Sequence, residues 1–105
     1  MAKEIISTTK APGAIGPYSQ GIKVGNLIFT SGQIPLNPET GELETEISKA
    51  TTQSMENLKG ILEEAGTSWS KVIKTTIFLK DINDFTKVNE VYGSYFTENP
   101  PARSC

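Results

Sequence analysis

The sequence predicts an α+β domain, and three observations point to it. Short, β-branched runs with period-two alternation occur near the start, on both sides of Gly25-Asn26, and again from Val72 to Leu79. Two longer stretches, Ile47 to Ala65 and the segment after Asp81, instead repeat apolar residues at spacings of three and four. The chain has 105 residues, enough for one domain (1–105) and too few for two. Two amphipathic helices packed on one face of a mixed sheet bury these stripes with the fewest layers.

Each element has a local reason. Ile5 and Ile6, followed by Ser7-Thr8-Thr9, have the character of a short strand. Ala11 to Pro17 is broken by Gly13, Gly16, Pro12 and Pro17, so neither a helix nor a central strand can run through it. Gly21 to Val24 and Leu27 to Ser31 flank Gly25-Asn26 as a hairpin whose tight turn needs positive φ. Gly32 closes that strand, and Pro35 to Gly41 is a turn-rich connection. In the first helix, Ile47, Ala50, Ser54, Leu58, Ile61, Leu62 and Ala65 share a face. Gly66 is placed to end it as the residue after the C-cap. Gly60 costs this helix about 1 kcal/mol relative to alanine, and marks close packing.

Further on, alternation puts Ile73, Thr75, Ile77 and Leu79 on one side of a strand and Lys74, Thr76, Phe78 and Lys80 on the other. Asp81 or Asn83 caps a second helix with the stripe Phe85, Val88, Tyr92, Tyr95 and Phe96, which Pro100-Pro101 stops. Met55 and Trp69 read as packing residues. No strand is expected before Arg103-Ser104-Cys105, so the pattern ends where a returning strand would begin.

Composition narrows the chemistry. Apolar residues at 36% and charged residues at 21% support a modest core and exclude a disordered chain. Ten Lys plus Arg against twelve Asp plus Glu give a net charge of -2, which argues against a nucleic-acid or membrane-surface partner. Without histidine there is no Ser-His-Asp or Cys-His site and no imidazole metal ligand. Cys105 is the sole cysteine, so no internal disulfide forms and a reducing compartment suits the chain. Met1 to Lys10 lacks the apolar run of a secretory signal, and nowhere do 18 apolar residues run together. The expected location is the cytoplasm. Gly13, Gly16 and Gly21 lack both the Walker ending and the dinucleotide spacing.

Four collinear segments resemble the RidA (YjgF) family of reactive imine and enamine deaminases. They are AIGPYSQG (Ala14 to Gly21), TSGQIP (Thr30 to Pro35), VIKTTIFLKD (Val72 to Asp81) with Asn83-Asp84-Phe85, and PARSC (Pro101 to Cys105). Asn57-Leu58, Glu63 to Gly66 and Val88 to Tyr92 add to the match, which covers essentially the whole chain. The resemblance implies a chorismate-mutase-like domain assembled as a homotrimer, with a small-molecule pocket at each subunit contact and no cofactor or metal. The implied reaction is hydrolysis of 2-iminobutanoate or 2-iminopropanoate to the 2-oxo acid and ammonia. In the family a further hairpin follows the cysteine and supplies a glutamate that activates water. Nothing follows Cys105 here, so the expectation is a truncated chain with impaired activity.

The candidate site residues each carry a plain alternative. Arg103 offers the planar two-pronged donor that matches a carboxylate, or is a surface arginine. Tyr18 anchors a loop, or turns its hydroxyl to substrate or water as the resemblance implies. Ser31 and Gly32 end a strand, which the resemblance places beside the ligand, where glycine permits close backbone approach. Asn89 faces solvent or contacts ligand. Cys105 has no base partner and is a poor nucleophile; the resemblance gives its backbone, rather than its sulfur, a role at the carboxylate and water. A trimeric protein that binds small carboxylates without turnover is the alternative function. RNA cleavage, attributed to some family members, gains nothing from an acidic chain without a basic, aromatic-studded patch.

Overall fold

A computed structural model describes residues 2–105. Strands β1 (Glu4–Ile6), β2 (Gly21–Val24) and β3 (Leu27–Thr30) form an antiparallel sheet in that order. At the β2–β3 turn Gly25 takes φ 59° while Asn26 stays outside the left-handed region, which fits a type II′ hairpin led by glycine. Helix α1 spans Ile47–Glu64, and the Glu46 side chain caps it by accepting from the Lys49 N–H at 2.7 Å. Its far end is a Schellman motif, with Gly66 at φ 79° and bonds from Gly66 N to the Glu63 carbonyl and from Thr67 N to the Leu62 carbonyl.

The rest of the chain is a β-helix-β unit. Strand β4 (Lys74–Thr76) leads through a 3₁₀ turn at Ile82–Asp84, capped by Asp81, into helix α2 (Phe85–Gly93). Strand β5 (Ala102–Ser104) returns parallel to β4, with Thr75 opposite Arg103. The returning strand thus begins within the described chain, a step earlier than the sequence pattern suggests. The α+β class holds, with the five strands among the described residues hydrogen-bonded in two small sheets, one antiparallel and one parallel.

Two boundaries differ from expectation. The ladder around Thr75 is three residues long, and Ile73 is 73% exposed, so the single alternating face over 72–79 fails at its first member. Helix α2 ends at Gly93, well before Pro100-Pro101. Three successive bonds of the tighter i to i+3 type, onto the carbonyls of Val91, Tyr92 and Gly93, replace the α-helical pattern beyond it. Tyr95 and Phe96 therefore pack from a turn, edge-on to Trp69 at centroid distances of 5.4 and 5.2 Å.

The core lies where α1 crosses the antiparallel sheet. Ile61 is fully buried against Ile6 and Ala11, with Ile28 and Ala65 alongside. Gly21 permits the crossing, since a Cβ there would stand 3.2 Å from Cγ2 of Ile61. Gly60 is a close-packing glycine as expected: a Cβ there would lie 2.7 Å from Cβ of Lys10 and 3.1 Å from its carbonyl oxygen. Helices α1 and α2 pack against each other. Register places Ile5, Ile22, Val24, Leu27 and Phe29 together on the sheet face opposite Ile6 and Ile28. Ile5, Leu27 and Phe29 on that face stay more than half exposed.

Candidate functional site

The C-terminal strand delivers Arg103 onto one flank of α2. Phe85, Asn89 and Tyr92 recur at spacings of four and three, so they share that flank. The Arg103 guanidinium carbon lies 5.4 Å from the Phe85 ring centroid and 4.9 Å from that of Tyr92. Its Nη1 donates to Oδ1 of Asn89 at 2.8 Å. Among the described residues no carboxylate pairs with it, so a charged fork stands on an aromatic platform with donors to spare. An anion with two coplanar oxygens suits those donors.

Arg103 and Asn89 are therefore brought together, with Asn89 still exposed to solvent while its Oδ1 accepts from the arginine. The exposed thiol of Cys105 follows two residues on. Tyr18, Ser31 and Gly32 gather elsewhere, around the end of β3. Tyr18 is half exposed, and its N–H donates to the Gly16 carbonyl at 2.9 Å. The Ser31 hydroxyl donates to the Ser19 carbonyl at 2.6 Å, which ties the end of β3 to the loop carrying Tyr18. Nothing lies within 4 Å of the Cβ position at Gly32, so that backbone faces open space. Among the described residues no hydrogen bond joins this cluster to Arg103 or Asn89.

Sequence reasoning missed several supporting residues. Phe85 and Tyr92 read as core stripe, and both also underlie the guanidinium. Tyr92 shares a 2.7 Å hydrogen bond with Thr75 of β4. Gln20, 3% exposed, accepts from the Thr8 N–H and donates to carbonyls of Thr8, Ala11 and Pro12. Asn57, fully buried, donates to the carbonyls of Ile34 and Leu36. A polar residue on a helical stripe was the available signal for Asn57; Gln20 had none. Farther off, burial and its hydrogen bond to Glu56 push the Tyr95 phenol well above its ordinary range. Among the described residues no three His, Cys, Asp or Glu side chains gather to hold a metal ion. Among the described residues no helix is long and apolar enough to cross a membrane.

Comparison with known proteins places the chain in a family. The family described as endoribonuclease L-PSP matches residues 8–105. A 2-iminobutanoate/2-iminopropanoate deaminase of Escherichia coli K12 is 52% identical over 103 residues, covering 95% of this chain and 80% of that protein. A solved member of the conserved Rid family from Yersinia pestis superposes with a TM-score of 0.96 at 48% identity, covering 98% of this chain and 83% of that one. The E. coli TdcF structure with bound serine gives a TM-score of 0.94 at 48% identity, with coverages of 97% and 83%. With a family match across nearly its whole length and a fold shared with solved Rid proteins, the chain belongs to the RidA (YjgF) family.

Proposed function

We propose that this protein hydrolyses reactive 2-imino acids, such as 2-iminobutanoate and 2-iminopropanoate, to 2-oxo acids and ammonia, and so limits metabolite damage in the cytoplasm. The observation that carries the reading is the unpaired Arg103 guanidinium, held on Phe85 and Tyr92 by Asn89 and able to grip a carboxylate. The 52% identical E. coli deaminase and TdcF, a relative solved with bound serine, support it.

The chemistry asks little of the protein. Water adds to the electrophilic C=N carbon, most readily when the nitrogen is protonated. The resulting carbinolamine transfers a proton from its hydroxyl to nitrogen, the C–N bond breaks, and ammonia leaves a C=O behind. No covalent enzyme nucleophile is needed. In this scheme Arg103 holds the carboxylate, backbone groups at Cys105 and Gly32 complete the cradle with Ser31, and Asn89 steadies the guanidinium. The Tyr18 hydroxyl orients the water. Positioning supplies much of the rate, and proton transfer assistance adds about 10²–10⁴-fold.

Tyr18, Ser31 and Gly32 reach Arg103 in this proposal across a contact between copies, in a homotrimer of single-domain chains. Two observations favour that arrangement: the absence of a hydrogen bond between the two clusters among the described residues, and the exposed apolar sheet face of Ile5, Leu27 and Phe29. A threonine dehydratase releasing imine in the presence of semicarbazide provides the test. A version extended by the further hairpin should lower the trapped imine in proportion to its amount, and the chain ending at Cys105 should do so weakly or not at all. Unchanged trapping by the extended version, with 2-oxobutanoate still bound, would convert the reading to a carboxylate-binding protein without turnover.

A further inference from the structure

We propose that Tyr92 and Thr75 are positioning residues for Arg103: together they set the plane and height of its guanidinium, and through it the place where a substrate carboxylate docks. The inference rests on the reading of Arg103 as the carboxylate holder and goes beyond it. Arg103 sits on a three-residue strand whose residues are all exposed, and an arginine has several freely rotating side-chain bonds. Left alone, such a side chain would sweep a wide volume.

Three contacts restrict it. Asn89 takes one hydrogen of Nη1, which limits rotation of the fork. The Tyr92 ring supports the guanidinium carbon at 4.9 Å, and Tyr92 itself is 7% exposed. The Tyr92 hydroxyl is bonded at 2.7 Å to Thr75 Oγ1, and Thr75 is the ladder partner of Arg103 on the neighbouring strand. The ring is thus pinned at its far end to β4 while its face supports a side chain from β5. This closes a loop of contacts from Arg103 through Tyr92 and Thr75 back to Arg103. A fork fixed before binding loses less freedom when the carboxylate arrives, so the device acts on affinity. The carboxylate contact is present in ground and transition states alike, so loosening it raises KM and leaves kcat nearly unchanged.

Thr75→Val, Tyr92→Phe and Tyr92→Leu are compared with the parent protein and with Arg103→Ala. The measurements are Kd for 2-oxobutanoate by calorimetric titration, KM and kcat with enzymatically generated imine, and thermal melting. Thr75→Val and Tyr92→Phe should each raise Kd and KM in parallel by about 3-fold, and Tyr92→Leu by about 10-fold, with kcat within about 2-fold. Because Tyr92→Leu opens a buried site and can unfold the chain, the two conservative variants decide the matter. Unchanged Kd and KM in both of them, beside weakened binding in Arg103→Ala, would overturn the positioning role alone. A fall in kcat at constant KM would overturn it too. If Arg103→Ala binds 2-oxobutanoate like the parent, the carboxylate reading itself fails and takes this inference with it.

Discussion

Around Tyr18, Ser31 and Gly32 the side chains that fix the backbone are buried amides bonded to main-chain groups. Around Arg103 the fixing contacts run between side chains: an exposed hydrogen bond to Asn89, and the rings of Phe85 and the buried Tyr92. Gln20 spreads its amide over three carbonyls of the Thr8–Pro12 loop, and Asn57 reaches from α1 to the carbonyls of Ile34 and Leu36, just beyond Gly32. Arg103, by contrast, depends on Asn89 and two aromatic rings. The difference matters because a buried amide left without partners costs the full desolvation of the groups it served, whereas an exposed side-chain contact is exchanged for water. Damage to the first region should appear as lost stability. Damage to the second should appear as lost binding in a protein that still folds.

The largest expected effect tests the second half of that contrast. Arg103→Ala should weaken 2-oxobutanoate binding by about 30- to 150-fold, the equivalent of losing about 2–3 kcal/mol of charge-assisted hydrogen bonds. Its melting temperature should hardly move. Arg103→Lys keeps the charge without the fork and should also bind poorly. A large drop in melting temperature with intact binding would reverse the comparison.

On the other side, Asn57→Ala should cost about 2–3 kcal/mol of unfolding free energy, because it strands two carbonyls and the Gln53 amide. Urea denaturation measures it, and an unchanged midpoint would mean that water replaces the amide without penalty. A smaller effect is expected where α1 meets the loop. Gly60→Ala gains helix propensity, yet its methyl meets Lys10 at 2.7 Å and the Lys10 carbonyl at 3.1 Å. The net should be a loss of about 1–2 kcal/mol, and a stabilised variant would show that the loop yields.

Smallest is Tyr95→Phe, which removes the 2.7 Å bond to Glu56 and should cost about 0.5–1 kcal/mol at neutral pH. The Tyr95 phenol is raised in the folded state, so its contribution is fully present below the unfolded value near 10 and fades as pH rises from there. The stability gap between parent and variant should therefore narrow in alkali. A gap that stayed constant with pH would place the effect in packing alone.

How legible these regions were in the sequence follows from how local their causes are. The Gly25-Asn26 turn, the Gly66 ending of α1 and the close contact at Gly60 each follow from one or two residues, and each stands as read. The end of α2 did not, because the double proline is only one way to stop a helix, and tightening after Gly93 came first. Ile73 was placed on one side with Thr75, Ile77 and Leu79 from alternation, which counts periodicity and cannot report that the ladder is only three residues long. Arg103 and Asn89 could be singled out by resemblance, but their mutual bond spans 14 positions and no spacing rule predicts it.

The sequence by itself determined where turns fall, which segments coil and which side of α1 is apolar, because propensity, capping and periodicity act within a few residues. It also showed, through composition, that these 105 residues supply no imidazole. Only the tertiary structure decided that β5 pairs with β4, that the strands divide into two sheets, and that Tyr92 supports an arginine as well as filling the core. Those facts depend on register between strands nearly thirty residues apart, and register is set by packing that no local rule contains.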